Sequence, residues 1–159
     1  MKAFALITLT VASFAAMPAF STGEHAGGHG GYSFGEPGKA AEVSRTIKVR
    51  TLDAMKFEFD PAVGTIKKGE TIRFIVSNPG QIAHEFAIGD AASQRAHALM
   101  MQKMPGMKHD ADPSTVSLAA GETKTLIWKF DKAASGGIVL ACHIPGHYEA
   151  GMQAKAALK

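Results

Sequence analysis

An all-β architecture, a Greek-key β-sandwich of seven or eight short strands with one helical insertion, is expected from three features of the sequence. Short alternations of apolar and polar residues recur from residue 45 to the C-terminus. Turn-forming groups such as Lys67-Lys68-Gly69-Glu70, Pro79-Gly80 and Ala120-Gly121-Glu122 separate them. One Ala-rich stretch, over 89–113, breaks the strand rhythm. Many short strands at close intervals are the pattern of a sandwich. No internal repeat is visible.

Taken in order, residues 1–21 read as a secretory signal peptide. Lys2 supplies the basic start, Phe4 to Ala16 the apolar stretch, and Ala19 and Ser21 the small residues before a cut. The stretch is too short for a permanent span, so no stable membrane span is expected. A bacterial export signal of this kind implies the periplasm. Residues 22–44 are Gly-rich and carry His25 and His29 without apolar periodicity, which predicts a flexible extension. It serves either as a metal-collecting arm through these histidines or as an inert linker.

The folded domain is expected over 45–159. Ile47 and Val49 alternate inward, and Phe57 and Phe59 continue the period until Asp60-Pro61 stops it. Ile72, Phe74 and Val76 share one strand face. A short strand over 82–88 holds His84 at or near its start. A helix is predicted from about 91 to 104, stopped by Pro105-Gly106. Strands then resume at 114–118, at 123–130 with Leu126, Trp128 and Phe130 on one face, at 138–142, and at 152–158.

Composition narrows the function. The chain has 159 residues, 46% of them hydrophobic, and a formal charge of +3. That is enough for one domain with a real core. No basic run is dense enough to suggest nucleic acid. The single cysteine, Cys142, cannot form an internal disulfide. In an exported protein a free thiol is exposed to oxidation, and holding it as a metal-bound thiolate removes that liability.

Cys142 opens a short loop on which His147 and then Met152 follow at five-residue steps. A trigonal copper site needs two imidazoles and a thiolate, with a weak axial thioether. His84, after the turn Asn78-Pro79-Gly80, is the candidate for the second imidazole. The predicted copper ligands are therefore His84, Cys142, His147 and Met152. Zinc fits less well, because structural zinc sites favour several thiolates and catalytic ones three His or acidic ligands. The methionine spacing and β-rich context also speak against a Cys-His hydrolase. His143, next to Cys142, should point to the opposite face. Tyr148 and Glu149 are expected on the rim, and Glu85 is a candidate to orient the site.

Cys-x4-His-x4-Met with the upstream Asn-Pro-Gly…His84-Glu85-Phe86 resembles the cupredoxins, over roughly residues 45–159. The resemblance implies a type 1 copper site at one end of a sandwich. A second cluster adds to it: His97, Met100, Met101, Met104, Met107 and His109 fall within thirteen residues. Thioethers select Cu(I). Alternatively Leu99, Met100 and Met104 simply pack the helix on the sandwich. With the His-bearing extension, this combination resembles the periplasmic copper-tolerance cupredoxins of the CopI type. That implies copper tolerance with Cu(I)/Cu(II) cycling, extra Cu(I) at the Met/His segment or at His25 and His29, and a redox partner such as a cytochrome or a copper-handling protein. The competing expectation is a plain electron shuttle holding one copper, with Ile144 and Pro145 at its docking edge.

Overall fold

The computed structural model describes residues 31–104, 112–132, 134 and 136–159. Among them are ten strands: β1 (Glu36–Pro37), β2 (Arg45–Leu52), β3 (Lys56–Asp60), β4 (Thr65–Ile66), β5 (Thr71–Ser77), β6 (His84–Gly89), β7 (Thr115–Leu118), β8 (Thr123–Lys129), β9 (Ile138–Ala141) and β10 (Gln153–Leu158). One helix, α1 (Ala91–Lys103), lies between β6 and β7. The strands form two five-stranded sheets, ordered β1-β8-β5-β2-β3 and β4-β10-β9-β6-β7.

The alternation read from the sequence is the alternation of the core. Ile47 and Val49 of β2, Ile72, Phe74 and Val76 of β5, and Leu126 and Trp128 of β8 are all buried from the first sheet. Phe86, Ile88, Leu118, Ile138 and Leu140 face them from the second. Phe74 and Phe86 join the layers, with ring centroids 5.3 Å apart.

Pairing is not purely antiparallel. β2 runs parallel to β5, and β4 parallel to β10. The chain leaves the β2–β3 hairpin, crosses to the other sheet as β4, and returns as β5 beside β2. Two crossings restore the strand direction, and period-2 patterning alone does not reveal them.

The fold also begins earlier than residue 45. Phe34 is buried and stacks on Trp128 at 5.2 Å, while Tyr32 meets the same indole edge-on at 4.9 Å. β1 pairs with β8, and the Trp128 indole N–H donates to the Phe34 carbonyl. The expected flexible extension over 22–44 therefore gives way, in its second half, to a strap across the open edge of β8. The glycines around it hid two aromatic anchors. The first 30 residues, including the expected signal peptide, His25 and His29, lie outside the described residues.

Helix α1 starts where its chemistry dictates. Asp90 Oδ1 accepts from the backbone N–H groups of Ala92 and Ser93, and the Ser93 hydroxyl accepts from the Asp90 N–H. This reciprocal cap satisfies N–H groups that have no partner within the helix. α1 then lies over the face of β6 and β9 that points away from the other sheet. Every residue of β6 is buried as a result.

Candidate metal centre

β6 and β9 are antiparallel neighbours, with Ala87 opposite Ala141. The strand that starts with His84 therefore begins at the end where β9 delivers Cys142. The loop after Cys142 folds back on itself. His147 N–H donates to the Ile144 carbonyl, Met152 N–H to the His147 carbonyl, and Cys142 N–H to the Met152 carbonyl. Gly146 takes φ of +89°, a bend that side-chain-bearing residues rarely adopt. Backbone bonds thus hold three of the four candidate donor residues in one tight loop.

His84, Cys142 and His147 come together. One donor atom from each lies within 4.8 Å of the others. His147 Nδ1 is 3.4 Å from Cys142 Sγ, and the rings of His84 and His147 are 5.2 Å apart. His84 and Cys142 are fully buried. Met152 is fully buried too, at the position where the loop closes.

The electrostatics of the three groups suit a cation. Burial pushes the Cys142 thiol up to about 12. The N–H groups of Ile144 and Glu85 oppose that rise, and the Glu85 charge adds to it. A metal ion supplies the positive charge that turns such a thiol into a thiolate. Burial first, and then the His84 ring, hold His147 below the ordinary imidazole range, so its lone pair is available. Asp53 Oδ1 lies 3.3 Å from His84 Nε2. A carboxylate can only accept, so Nε2 donates, and in the neutral ring the lone pair lies on Nδ1. That Nδ1 is buried with no hydrogen-bond partner. A buried unpartnered imidazole nitrogen beside a thiol and a second imidazole is a donor set for a soft or borderline ion.

A model of copper-binding proteins of the plastocyanin/azurin family matches residues 45–159. The chain belongs to that family, and copper is its cofactor. A copper-resistant cuproprotein CopI from Rubrivivax gelatinosus is 46% identical over 138 residues, covering 85% of this chain and 81% of that protein. CopI proteins from Vibrio cholerae and Pseudomonas aeruginosa are 41% and 36% identical, covering 74% and 77% of this chain and 68% and 80% of their own lengths. Among solved structures, reduced auracyanin from Roseiflexus castenholzii superposes with a TM-score of 0.57 at 19% identity, covering 74% of this chain and 98% of its own. Auracyanin A from Chloroflexus aurantiacus gives 0.52 at 20% identity, with coverages of 72% and 98%. These two likenesses concern the fold.

Two residues of this cupredoxin's centre, Asp53 and Gln94, escaped the sequence, and Glu85 was there only a candidate to orient the site. Asp53, in the β2–β3 turn, accepts from the N–H groups of Gln81 and Ile82 as well as from His84. Gln81 first, with the other bonds, holds its carboxyl below the usual range. Any Cβ at Gly80 would collide with that carboxylate. Glu85, 1% exposed, donates its N–H to Cys142 Sγ at 3.3 Å. Its Oε1 accepts from the His143 N–H at 3.3 Å and lies 2.8 Å from His97 Nε2. Gln94 accepts from His143 Nε2 at 2.7 Å. His143 also stacks on Tyr148 at 5.0 Å, so it points away from the His84–Cys142–His147 cluster. Long-range partners of this kind leave no local pattern. Only Glu85 had a hint, as the neighbour of a candidate ligand.

The Met/His segment divides. His97 and Met101 face inward. Met100 is half-buried, and Met104 is exposed. Leu99 is 53% exposed, so the alternative in which Leu99, Met100 and Met104 pack the helix on the sandwich fails for Leu99 and Met104. Met107 and His109 lie outside the described residues.

Proposed function

We propose that this protein is a periplasmic type 1 copper protein acting in copper tolerance. Its main copper is held by His84, Cys142, His147 and Met152, and its Met/His segment takes additional Cu(I). The observation that carries the ligand assignment is the bare, buried Nδ1 of His84 beside Cys142 Sγ and His147 Nδ1. The tolerance role is supported by the CopI relatives, whose name states copper resistance. Among the described residues no helix is long and apolar enough to cross a membrane.

Copper bound at such a site supplies a one-electron Cu(I)/Cu(II) couple. The chain's own residues do the rest. Asp53 holds the His84 ring in the tautomer that bares Nδ1. The Glu85 N–H steadies the sulfur and withdraws charge from it. The backbone ring of Cys142, Ile144, His147 and Met152 keeps the donors in place whether or not the ion changes charge. A rigid donor set needs little rearrangement when an electron moves.

Growth of a deletion strain on graded copper tests the tolerance role, and unchanged sensitivity would remove it. A second reading, an electron shuttle serving a redox partner such as a cytochrome, draws on a cleft of about 360 Å³ beside the centre. Leu118, Ala119, Ile144 and Pro145 give that cleft an apolar wall. Copper stoichiometry separates the two readings: a shuttle holds one ion, a tolerance protein more.

A further inference from the structure

His143 follows a copper ligand directly, yet its ring serves a different neighbourhood. One peptide bond joins it to Cys142, and adjacent side chains on extended backbone diverge. Three contacts fix the ring and its backbone. Gln94 Nε2 donates to the carbonyls of Ala87 and Val139 at 3.0 and 2.9 Å, so Gln94 Oε1 is left to accept, and the His143 Nε2–H donates to it at 2.7 Å. The His143 N–H donates to Glu85 Oε1 at 3.3 Å. Tyr148 lies against the ring face, with centroids 5.0 Å apart and 18° between the planes.

A buried imidazole, clamped beneath a phenol, thus runs without a gap from the residue that carries the sulfur. Tyr148 is half-buried and brings that line to the surface. His143 and Tyr148 line a cleft of about 330 Å³ between α1 and the ligand loop, together with Arg95, Ala98, Glu149 and Lys155. Arg95, Glu149 and Lys155 are exposed. Two fixed cations against one carboxylate give the mouth of this cleft a positive balance. The cleft walled by Ile144 and Pro145 shares none of these residues.

We propose that His143 and Tyr148 form an electron port of their own, whose mouth docks a one-electron acceptor protein with an acidic surface around its redox group. The proposal rests on the reading that the main copper cycles between Cu(I) and Cu(II), and it adds a route and the chemistry of the partner. In the step, Cu(I) loses one electron to become Cu(II), the acceptor gains that electron, and no proton or covalent bond is exchanged. Copper–thiolate bonding shares the electron with Cys142 Sγ. The peptide link leads from there to His143, and ring overlap leads on to Tyr148. Neither ring is itself oxidised. Arg95 and Lys155 steer the acidic partner, an effect on encounter rate more than on affinity.

The test uses the full-length Cu(I) holoprotein. Hexacyanoferrate(III), an anionic one-electron oxidant, is mixed with it, and the growth of the copper–thiolate band is timed. Tyr148→Leu should slow the reaction, and Tyr148→Phe, which keeps the ring, should restore it, both with the wild-type band and potential. Arg95→Glu combined with Lys155→Glu should slow it by about tenfold or more, the lower end of what electrostatic focusing contributes. Lys67→Glu with Lys68→Glu makes the same change in net charge in the turn after β4, beside the end of β10 farthest from Met152, and should alter the rate far less. A second readout needs no electron transfer. Hexacyanochromate(III), a paramagnetic anion that leaves Cu(I) unoxidised, should broaden the amide signals of Arg95, Tyr148 and Lys155 before those of Ile144 and Gly146. If the rate ignores Tyr148→Leu or the Arg95/Lys155 pair, if its slowing merely tracks a shifted potential, or if broadening centres on Ile144 and Gly146, the port is wrong while copper cycling stands. If the wild-type Cu(I) protein is not oxidised at all, both readings fall.

Discussion

Replacing Asp53 with Ala isolates the contribution of a residue that touches no metal. Its carboxylate accepts from Gln81 N–H at 2.8 Å, Ile82 N–H at 3.5 Å and His84 Nε2 at 3.3 Å. Without it, the loop before β6 loses its anchor and the His84 ring is free to carry its proton on Nδ1, the nitrogen that faces the centre. Carboxylate partners of metal-binding imidazoles typically contribute about 10- to 100-fold in metal affinity. Asp53→Ala is expected to lose that much, measured by competition with a chelator of known strength. Asp53→Asn keeps one acceptor oxygen and should recover part of the loss. Gly80→Ala drives a methyl group into the same carboxylate and should reproduce the defect from the other side. An Asp53→Ala protein that holds copper within about twofold of the wild type would refute the tautomer argument.

Three further outcomes follow from the geometry. Cys142→Ser should abolish the intense visible band of the copper-loaded protein, and Met152→Leu should move the band and the potential while copper is retained; a band surviving in Cys142→Ser would overturn the ligand assignment. Phe34→Ala empties a fully buried site against Trp128 and should cost about 3–5 kcal/mol in denaturant unfolding of the metal-free protein, whereas a loose extension would cost almost nothing. Asp90 carries the pH dependence of α1. Burial works to raise its pKa, but hydrogen bonds from Ser33, Ser93 and Ala92 together hold it below its ordinary 3.8. Its stabilisation is therefore complete above that value and lost as the pH falls through the depressed one. Protection factors of the α1 amides, corrected for intrinsic exchange, should fall at pH 2–3 relative to pH 6 in the wild type, and Asp90→Ala should start about 1 kcal/mol less protected and flatten that dependence.

The sandwich was legible because burial on one side of a strand writes itself into alternate residues. β2 contains Ile47 and Val49, β5 contains Ile72, Phe74 and Val76, and β8 contains Leu126 and Trp128, with Phe130 one residue past its end. α1 begins at Ala91, as expected, and ends at Lys103, one residue from its expected stop. The Cys142–His147–Met152 spacing was legible because one loop carries all three. What remained hidden depends on contacts far apart in sequence. Asp53 reaches His84 across 31 residues, and His143 reaches Gln94 across 49. Tyr32 and Phe34 sit in a Gly-rich run whose composition argued for disorder, and only Trp128, 94 residues from Phe34, gives them a place. The alternative that turned Leu99 inward fails for a related reason. Leu99 is the most apolar residue of the helix, but Gln94 and His97 bond to Ala87, Val139 and Glu85 beneath it, so apolarity did not decide which side turned in.

That polar underside changes what the insertion means for the centre. Hydrogen bonds from Gln94 tie α1 to the carbonyls of β6 and β9, and the same strands deliver His84 and Cys142. Glu85 then joins the helix to the sulfur: its carboxylate meets His97, and its N–H meets Cys142 Sγ. A side chain and a backbone group of one rigidly held residue cannot respond independently. Hydrogen bonding to the sulfur is one of the levers that set the potential of such a centre. The insertion therefore joins, through Glu85, the hydrogen bonding that reaches the Cys142 sulfur. A helix inserted elsewhere on the sandwich would make no such contact.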